Sequence, residues 1–389
     1  MFFCKYFQKH KLPVVDQNYI TDVLSNIYFN YQPYLNGDDV IFLQEINAYA
    51  AFKYDVVTDL LRLNEVAGVS NVHLALNNIY FSPTEAVHQQ NKSTALKVLP
   101  FLSKREQYTT TPYLQSLLKA FFVNLPVQQP VDFMQYLVAP AFFISTLRDF
   151  SLLHLFPELD VINGTASTQN ALQIIDRYFD DGDVLLKDIT EKLAANSALL
   201  GTTKEMLQEI SSHHPVNSSD IPKFLRSMIF ASSESTIAFA CTFASVYFNN
   251  YSFKIEEGSE DFLHLCNETA RIYTPVPFIY RTIKTDTTYR GKLLKKGDLL
   301  VLFIGVANLD TKSFEHPTQI KFKRTNKHLA FGQGSYACIG RFAAFGKAFG
   351  LTKFLNEHQS DWQFTSTKLT HRIKNSTLKP QLQIVRKNG

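Results

Sequence analysis

The sequence has few of the features that mark secreted or membrane proteins. It holds only four cysteines among 389 residues, and none shows CxxC or disulfide-framework spacing, so we expect a reduced cytosol. No run approaches the roughly 18 consecutive apolar residues of a membrane span. Residues 1–6 hold too short an apolar stretch for a signal peptide. We therefore expect a cytoplasmic protein without a membrane anchor.

Motifs for several cofactors and partners are missing as well. There is no GxGxxG stretch and no cluster of cysteines that would bind a flavin, a dinucleotide or an iron–sulfur centre. The net charge of +4 is small, and the basic residues are dispersed, which does not indicate nucleic acid binding. We find no linker, low-complexity tract or internal repeat, so we expect one domain over residues 1–389. Cys241 and Cys266 lie in apolar helical stretches and are expected to be core residues.

The most informative segment is 331–344, which reads FGQGSYACIGRFAA. Gly334 and Gly340 bracket Cys338, and glycine suits a tight turn and the close approach of a flat ligand. The following residues, 341–355, are rich in Ala, Phe and Lys and predict a helix. A helix N-terminus favours a thiolate, and a thiolate in an apolar loop is a soft ligand suited to haem iron. The alternative is a buried structural cysteine after a glycine-rich turn.

This segment resembles the haem-binding loop of the cytochromes P450, a family that places five residue types at fixed spacing. All five positions are filled here, by Phe331, Gly334, Cys338, Gly340 and Ala344. The resemblance spans roughly residues 80–389. It implies a mainly α fold with a small β portion, a single large helical domain enclosing haem. It also implies haem b (iron protoporphyrin IX) with the Cys338 thiolate as axial ligand.

A second motif agrees with this resemblance. Glu268 and Arg271 are three residues apart and share one helix face, and a proline-rich turn ends their predicted helix at about 260–273. Alone, such a pair is more often a solvated surface ion pair. In the family it is a buried network that braces the haem loop with a third, basic partner. Arg324 is the candidate for that partner, although its spacing to the loop is one residue short, and Lys323 is the alternative.

A long apolar helix is predicted over about 221–249, and five polar residues interrupt its middle. The family has an Ala-Gly-x-(Asp/Glu)-Thr stretch here, in a distorted turn over the haem. Ser232 replaces the Gly, Glu234 is the acid and Ser235 replaces the Thr, with Thr236 as a second hydroxyl. The resemblance implies that Glu234, Ser235 and Thr236 are catalytic and relay protons. The alternative is that the hydroxyls merely bond back to the helix carbonyls.

Haem carries two carboxylates that require basic or donor partners. The resemblance implies that His88 and Lys92 contribute, with Lys92 in place of the family's Arg. It also assigns Arg281 to a propionate. Tyr336 stands where a basic residue or small donor is usual, so we expect weaker propionate pairing there, because its phenol carries no positive charge.

The resemblance implies a haem-thiolate monooxygenase that inserts one oxygen atom from O2 into a C–H or C=C bond of an apolar or aromatic small molecule. The substrate, free or tethered to a carrier protein, would belong to secondary metabolism. Two alternatives stay open: a peroxide-driven peroxygenase or radical-coupling enzyme, and a non-catalytic haem-binding protein. We expect a monomer.

Electrons must come from a separate donor, a ferredoxin or flavodoxin with its reductase. The family docks this partner on the cysteine side of the haem. The basic residues expected on that face are Lys92, Lys97, Lys104, Arg105, Arg341 and Lys347.

The expected substrate-pocket walls are apolar, and the region 160–183 is polar and irregular enough to act as a lid. The wall segments are 66–80, the helices between 142 and 179, Ile229 with Phe230, 276–279 and 376–378.

Overall fold

The computed structural model describes residues 17–63, 67–69, 89, 92–93, 112–164, 166–195, 205, 208, 221–251, 256, 258–366, 368–374 and 376–387. The described α-helices are α1 (Gln17–Phe29), α2 (Gln32–Leu35), α3 (Tyr54–Arg62), α4 (Pro112–Phe122), α5 (Ala139–Asp149), α6 (Thr168–Asp180), α7 (Gly182–Ala195), α8 (Ile221–Asn250), α9 (Glu260–Ile272), α10 (Ile304–Ala307) and α11 (Arg341–Glu357). A π-helical turn, Met134–Val138, precedes α5.

The described strands are short and form four small sheets. They are β1 (Ile41–Leu43), β2 (Ala48–Ala51), β3 (Ala67–Val69), β4 (Pro130–Asp132), β5 (Ile279–Ile283), β6 (Thr287–Tyr289), β7 (Lys292–Leu294), β8 (Leu299–Leu302), β9 (Trp362–Phe364), β10 (Thr370–Lys374), β11 (Thr377–Gln381) and β12 (Gln383–Arg386). The sheets have the orders β1-β2-β8-β5-β3, β4-β12-β9, β6-β7 and β10-β11. The predicted architecture, mainly α with a small β portion, is confirmed.

The chain divides into two compact units. Unit 1 comprises Met1–Gln90, His264–Cys338 and Arg372–Lys379, and unit 2 comprises Asn91–Leu263, Ile339–His371 and Pro380–Gly389.

Unit 1 is built around β8, whose four residues, Leu-Leu-Val-Leu, are all buried. Successive strand residues point to opposite faces. Leu299 and Val301 therefore join one apolar cluster, which also contains α1 residues, whereas Leu300 and Leu302 join a second cluster with α3. β8 pairs in parallel with β2 and antiparallel with β5. A strand buried on both faces accounts for its unbroken apolar sequence.

Unit 2 is organised around α8, which packs against α5, α7 and α11. Its residues 236–247 are all buried, as expected for a helix that is apolar on every side. In the described part of the chain, α8 is the one helix long and apolar enough to span a membrane. Its most apolar window is 72% buried inside the protein, and the core helix of a soluble protein passes the same test. Cys241, on α8, and Cys266, on α9, are fully buried, so their prediction as core residues is confirmed.

Candidate functional site

The cysteine loop of unit 1 is closed by its own backbone. The Cys338 amide donates to the Phe331 carbonyl at 2.8 Å, and the Gly332 amide donates to the Leu329 carbonyl at 2.8 Å. Between them, Gly334–Tyr336 forms one 3-10 turn. Cys338 forms no disulfide, and its side chain is exposed. The loop therefore presents a single sulfur from a backbone that is already hydrogen-bonded.

Two glycines of this loop have left-handed backbone angles, which residues with a Cβ rarely adopt. They are Gly332 (φ 66°) and Gly334 (φ 67°). Gly334 therefore has the backbone turn that was predicted for a glycine. Gly340 does not, because its φ of −87° suits any residue. Gly340 is the N-cap of α11. The sequence analysis did not single out Gly332.

A buried ion pair lies on α9. The Arg271 Nε and Nη2 atoms donate to the two Glu268 carboxylate oxygens at 2.8 and 2.9 Å. Arg324 Nε donates to Glu268 Oε2 at 2.8 Å, so Arg324, rather than Lys323, is the third partner. The relative exposures of the Arg271, Glu268 and Arg324 side chains are 1%, 7% and 9%. The predicted buried network is confirmed, and a short spacing did not prevent Arg324 from joining it.

The remaining donors of this network bind backbone carbonyls. Arg271 donates to the carbonyls of Asn308, Pro317 and Gln319 at 2.7–3.1 Å. Burial alone would raise the pKa of Glu268, but hydrogen bonds from Arg271, Arg324 and the Lys321 amide hold it below its ordinary value. The carboxylate is therefore charged and satisfied, which makes the network a rigid support for the segment that leads into the cysteine loop.

Arg281 offers a buried cation near the loop. It lies on β5 with 5% exposure, and its guanidinium carbon is 5.4 Å from the centroid of the Tyr336 ring. Burial lowers the pKa of Arg281 to about 10. Its Nη1 donates weakly to the Tyr280 carbonyl at 3.3 Å, and its buried Nε has no hydrogen-bond partner in the described structure. A buried donor without an acceptor fits an incoming carboxylate such as a haem propionate.

The other predicted propionate partners are less well defined. His88 lies outside the described residues. Lys92 is half-buried and helical, in unit 2. The roles of both residues stay predictions.

The polar stretch of α8 belongs to a continuous α-helix. Ser233 is fully buried, and its hydroxyl donates back to the Ile229 carbonyl at 2.6 Å. Ser233 therefore matches the alternative prediction, in which a hydroxyl of this stretch merely bonds back to a helix carbonyl. Glu234 and Ser235 are half-buried, and Thr236 is buried with 8% exposure. The acid and two hydroxyls thus lie consecutively on one helix turn.

Apolar side chains cluster beside this stretch in unit 2. Phe179 contacts Phe143 and Phe230 in edge-to-face geometry at ring centroid distances of 5.6 and 6.2 Å. Phe143 also contacts Tyr178. These aromatic residues belong to the predicted wall segments. In unit 1, Phe278 packs inside the core and is not a wall residue, whereas Val276 and Ile279 are half-buried.

The region 160–183 is more regular than predicted. It contains α6, which begins after Ser167, and the Ser167 hydroxyl accepts a hydrogen bond from the Asn170 amide. Ser at an N-cap stabilises a helix start in this way. The polar composition of the region reflects this cap and the exposed face of α6, so the expectation of an irregular segment is wrong.

The predicted basic docking face also needs correction. The Lys347 Nζ is buried against the Thr146 hydroxyl at 2.6 Å and lies 3.7 Å from Asp149. It therefore cannot present its charge to a partner. The Arg341 guanidinium is half-buried and lies over the rings of Phe342 and Phe345. Three further basic residues predicted for this face lie outside the described residues, namely Lys97, Lys104 and Arg105.

Sequence reasoning missed two polar residues beside the arginine network. Asn308 is fully buried, and its side chain bonds to the Leu329 amide and to the Thr274 hydroxyl. The available signal was a single Asn in the apolar run 304–309, because an Asn there must be buried and requires partners.

Comparisons with known proteins agree with this geometry. A cytochrome P450 family model matches residues 264–384. Cytochrome P450-terp of a Pseudomonas species is 37% identical over 81 residues, which are 21% of this chain and 19% of that protein. The matched segments span about a fifth of the length of such curated relatives.

Two solved structures share the fold over nearly the whole chain. One is HmtN, a post-tailoring hydroxylase involved in himastatin biosynthesis, with a TM-score of 0.65 and 17% identity over 92% of this chain and 97% of that chain. The other is P450BioI in complex with acyl carrier protein ligated to hexadec-9Z-enoic acid. Its TM-score is 0.65, with 12% identity over 94% of this chain and 100% of that chain. At these identities the two structures show the fold alone.

Proposed function

We propose that this chain, which belongs to the cytochrome P450 family, is a haem-thiolate monooxygenase. It would insert one oxygen atom from O2 into a C–H or C=C bond of an apolar or aromatic small molecule. The main support is the loop that presents Cys338, closed on the Phe331 carbonyl and preceded by a segment tied to the Glu268–Arg271–Arg324 network.

The residues of unit 1 suit a thiolate-ligated haem. Cys338 would ligate the iron, and the Arg281 Nε would donate to a propionate. Tyr336, over which the Arg281 guanidinium lies, would contribute its phenol. Family positions in or after the loop would contact the macrocycle, namely Phe331, Gly334, Gly340 and Ala344. His88 and Lys92 would complete the propionate partners.

Haem with a thiolate ligand supplies the redox chemistry that cleaves the O–O bond. That chemistry also consumes protons, which a protein can supply through acid and hydroxyl side chains. The Glu234 carboxylate would take up protons, and the Ser235 hydroxyl would pass them on, since a hydroxyl both donates and accepts. Thr236 is the competing hydroxyl, rotated by about 100° around the helix.

The proton relay can be tested with three neighbouring hydroxyls. Ser235→Ala should leave haem binding intact but uncouple turnover, so that reductant is consumed and peroxide appears without product. Glu234→Gln should slow the same step. Ser233→Ala is the matched control, because its hydroxyl is engaged by the Ile229 carbonyl, and its coupling should match the wild type. If Thr236→Ala uncouples turnover and Ser235→Ala does not, the relay hydroxyl is that of Thr236, one residue further along the helix.

The thiolate assignment has a direct test. The reduced protein with carbon monoxide should show the absorption band that gives the cytochromes P450 their name. Cys338→Ser should abolish that band while the unfolding free energy stays near the wild-type value. Persistence of the band in Cys338→Ser would refute the ligand assignment and, with it, the proposed function.

The electron donor would be a separate ferredoxin or flavodoxin with its reductase. Exposed lysines on the segment before the cysteine loop, Lys312, Lys323 and Lys327, would take the docking role that the buried Lys347 cannot. The electron-transfer rate should then fall as salt rises. A rate that does not depend on salt would contradict docking by charge.

The proposed substrate class is supported by apolar side chains in the predicted wall segments. The half-buried Phe179 and Phe230, whose rings contact each other, suit an apolar or aromatic molecule. Because one neighbour is a biosynthetic hydroxylase and another was solved with an acyl carrier protein, both a free secondary metabolite and a carrier-tethered substrate deserve screening. We propose a cytoplasmic monomer with one functional domain.

A peroxide-driven peroxygenase or radical-coupling enzyme is the second candidate. It is favoured by Ser232 and Ser235 at positions where the family has Gly and Thr, because both changes alter the proton-delivering stretch. Product formation with hydrogen peroxide alone would support this candidate. A strict requirement for reduced ferredoxin and O2 would exclude it.

A further inference from the structure

Asn308 follows α10 and is fully buried at the end of an apolar run. Each of its four polar groups is used, and its backbone N–H donates to the Ile304 carbonyl at 3.0 Å. Its carbonyl oxygen accepts from Arg271 Nη1 at 3.0 Å, its Oδ1 accepts from the Leu329 amide at 2.7 Å, and its Nδ2 donates to the Thr274 hydroxyl at 2.9 Å. A buried Asn with this many defined partners is costly to replace.

The orientation of the Asn308 amide is determined by its neighbours. The Leu329 amide can only donate, so it requires the side-chain oxygen. The Thr274 hydroxyl donates its hydrogen to the Arg271 carbonyl at 3.1 Å, so it must accept from the side-chain nitrogen. Flipping the amide would break both bonds at once, which leaves one arrangement.

These bonds join the arginine network to the cysteine loop. Arg271 bonds to the Asn308 backbone, and the Asn308 side chain bonds to the Leu329 amide. The Leu329 carbonyl in turn accepts from Gly332, and Phe331 accepts from the Cys338 amide. The path is continuous, buried at its start, and lies entirely in unit 1.

We infer that Asn308 is the positioning residue that sets the orientation of the cysteine loop, and through it the Cys338 sulfur. The inference rests on the proposed function only for the statement that Cys338 ligates haem. Arg271 bonds to backbone carbonyls of the segment before the loop, but among the described residues Asn308 is the side chain that holds the Leu329 amide. Residues that orient a metal ligand from behind fix its geometry, and their loss typically costs about 10–100-fold in metal affinity or activity.

The test measures hydrogen exchange of the holoprotein over residues 329–338. Asn308→Leu removes the acceptor of the Leu329 amide and should speed exchange of this segment by about tenfold or more, the effect of losing one buried hydrogen bond. Asn308→Asp keeps an acceptor for that amide and should restore most of the protection. Thr274→Val removes only the partner of the Asn308 Nδ2 atom and should produce a smaller increase in the exchange rate. This variant replaces Asn308→Leu in the test if Asn308→Leu does not fold.

The matched control is Asn326→Leu. Asn326 lies in the same segment, and its amide also bonds to a backbone carbonyl, that of Ser313, but the residue is exposed. Its exchange over 329–338 should equal that of the wild type. If Asn308→Leu speeds hydrogen exchange equally across all of unit 1, Asn308 is a general core residue and the inference is overturned. The same holds if Asn308→Asp does not restore protection of residues 329–338.

A second readout connects the loop to the ligand. With haem still bound, Asn308→Leu should lose the thiolate carbonyl band several-fold faster on storage than the wild type, and Asn308→Asp should lose it at close to the wild-type rate. An unchanged band lifetime in Asn308→Leu would overturn the link to Cys338. If the wild type itself lacks the band, the proposed function fails, whereas the exchange experiment still decides whether Asn308 positions the loop.

Discussion

Each unit holds an acid–base pair, and the two pairs differ in exposure and in hydrogen bonding. The Arg271 and Glu268 side chains are 1% and 7% exposed, whereas those of Lys347 and Asp149 are 13% and 26% exposed. In unit 1, Glu268 receives donors from Arg271, Arg324 and the Lys321 amide at 2.8–2.9 Å. In unit 2, Asp149 is 3.7 Å from Lys347, whose shorter contact is to the Thr146 hydroxyl. Burial raises the pKa of Asp149 and lowers that of Lys347, whereas hydrogen bonds overcome burial at Glu268.

From this difference we expect a charge removed from water to stabilise structure mainly when its hydrogen-bonding capacity is filled. Glu268 is held by a planar, bidentate guanidinium that matches both carboxylate oxygens. Asp149 faces a single ammonium at a long distance, which barely offsets the cost of desolvation. The first pair braces the segment that leads into the cysteine loop, and the second joins α11 to α5, where Lys347 also contacts the Thr146 hydroxyl.

The largest expected effect is at Glu268. Glu268→Ala leaves two arginines buried without a carboxylate and should lower the free energy of unfolding by about 3–5 kcal/mol, as measured by urea denaturation. Glu315→Ala is the control, since Glu315 pairs with Lys321 at an exposed site and should cost less than about 0.5 kcal/mol. Equal losses in the two variants would mean that the unit 1 pair is no stronger than a surface pair.

Arg324 should have the next largest effect. Arg324→Ala keeps the Arg271–Glu268 pair but removes one charged hydrogen bond and should cost about 1.5–3 kcal/mol, visible as a lower melting temperature. Lys323→Ala, the exposed neighbour, should leave the melting temperature unchanged. The reverse result would make Lys323 the third partner.

Removing the unit 2 pair should have little effect. The double variant Asp149→Asn with Lys347→Met should remain within about 1 kcal/mol of the wild type, because the lost attraction and the recovered desolvation cost nearly cancel. A double-mutant cycle with the two single variants measures the coupling. A coupling as large as that between Glu268 and Arg271 would remove the contrast between the two pairs.

These comparisons also reveal what sequence can and cannot predict. Glu268 and Arg271 are three residues apart on a helix that ends in prolines, so local spacing and chemistry predicted their pairing. α8, Ile221–Asn250, was predicted over about 221–249 because long apolar stretches flank its polar middle. The five predicted loop positions could likewise be read from one short segment, although their roles toward haem stay predictions.

Other features depend on contacts between distant residues. Lys347 was expected on a docking face, because nothing near it in sequence reveals that Thr146 and Asp149 of α5 cover it. The partners of Asn308 come from residues 274 and 329, too far apart for any spacing rule. The helix α6 was mistaken for a lid because Ser167 is as typical of a loop as of an N-cap.

The smallest expected effect is a difference in pH dependence. Glu268 has a folded pKa below its ordinary 4.5, so it adds stability above that pH, and this is lost as pH falls through the folded pKa. Asp149 has a folded pKa above its ordinary 3.8, so the folded state holds the proton more tightly and stability falls as pH rises from 3.8 through the folded pKa.

The two variants should therefore differ from the wild type in opposite ways. As pH rises from about 3 to 6, the wild type should gain stability relative to Glu268→Gln and lose stability relative to Asp149→Asn. Urea unfolding at several pH values measures both differences. A shared sign would show that the two carboxylates have similar environments.

The closed backbone of the cysteine loop has a consequence for how tightly a cofactor is held. The Cys338 amide is already bonded to the Phe331 carbonyl, and Gly332 and Gly334 already have the left-handed angles that the turn requires. We expect these backbone bonds and angles to restrict the loop by themselves, so that less conformational entropy is lost when a ligand binds. Such pre-organisation leaves more of the interaction energy for affinity, and it slows dissociation more than it speeds association.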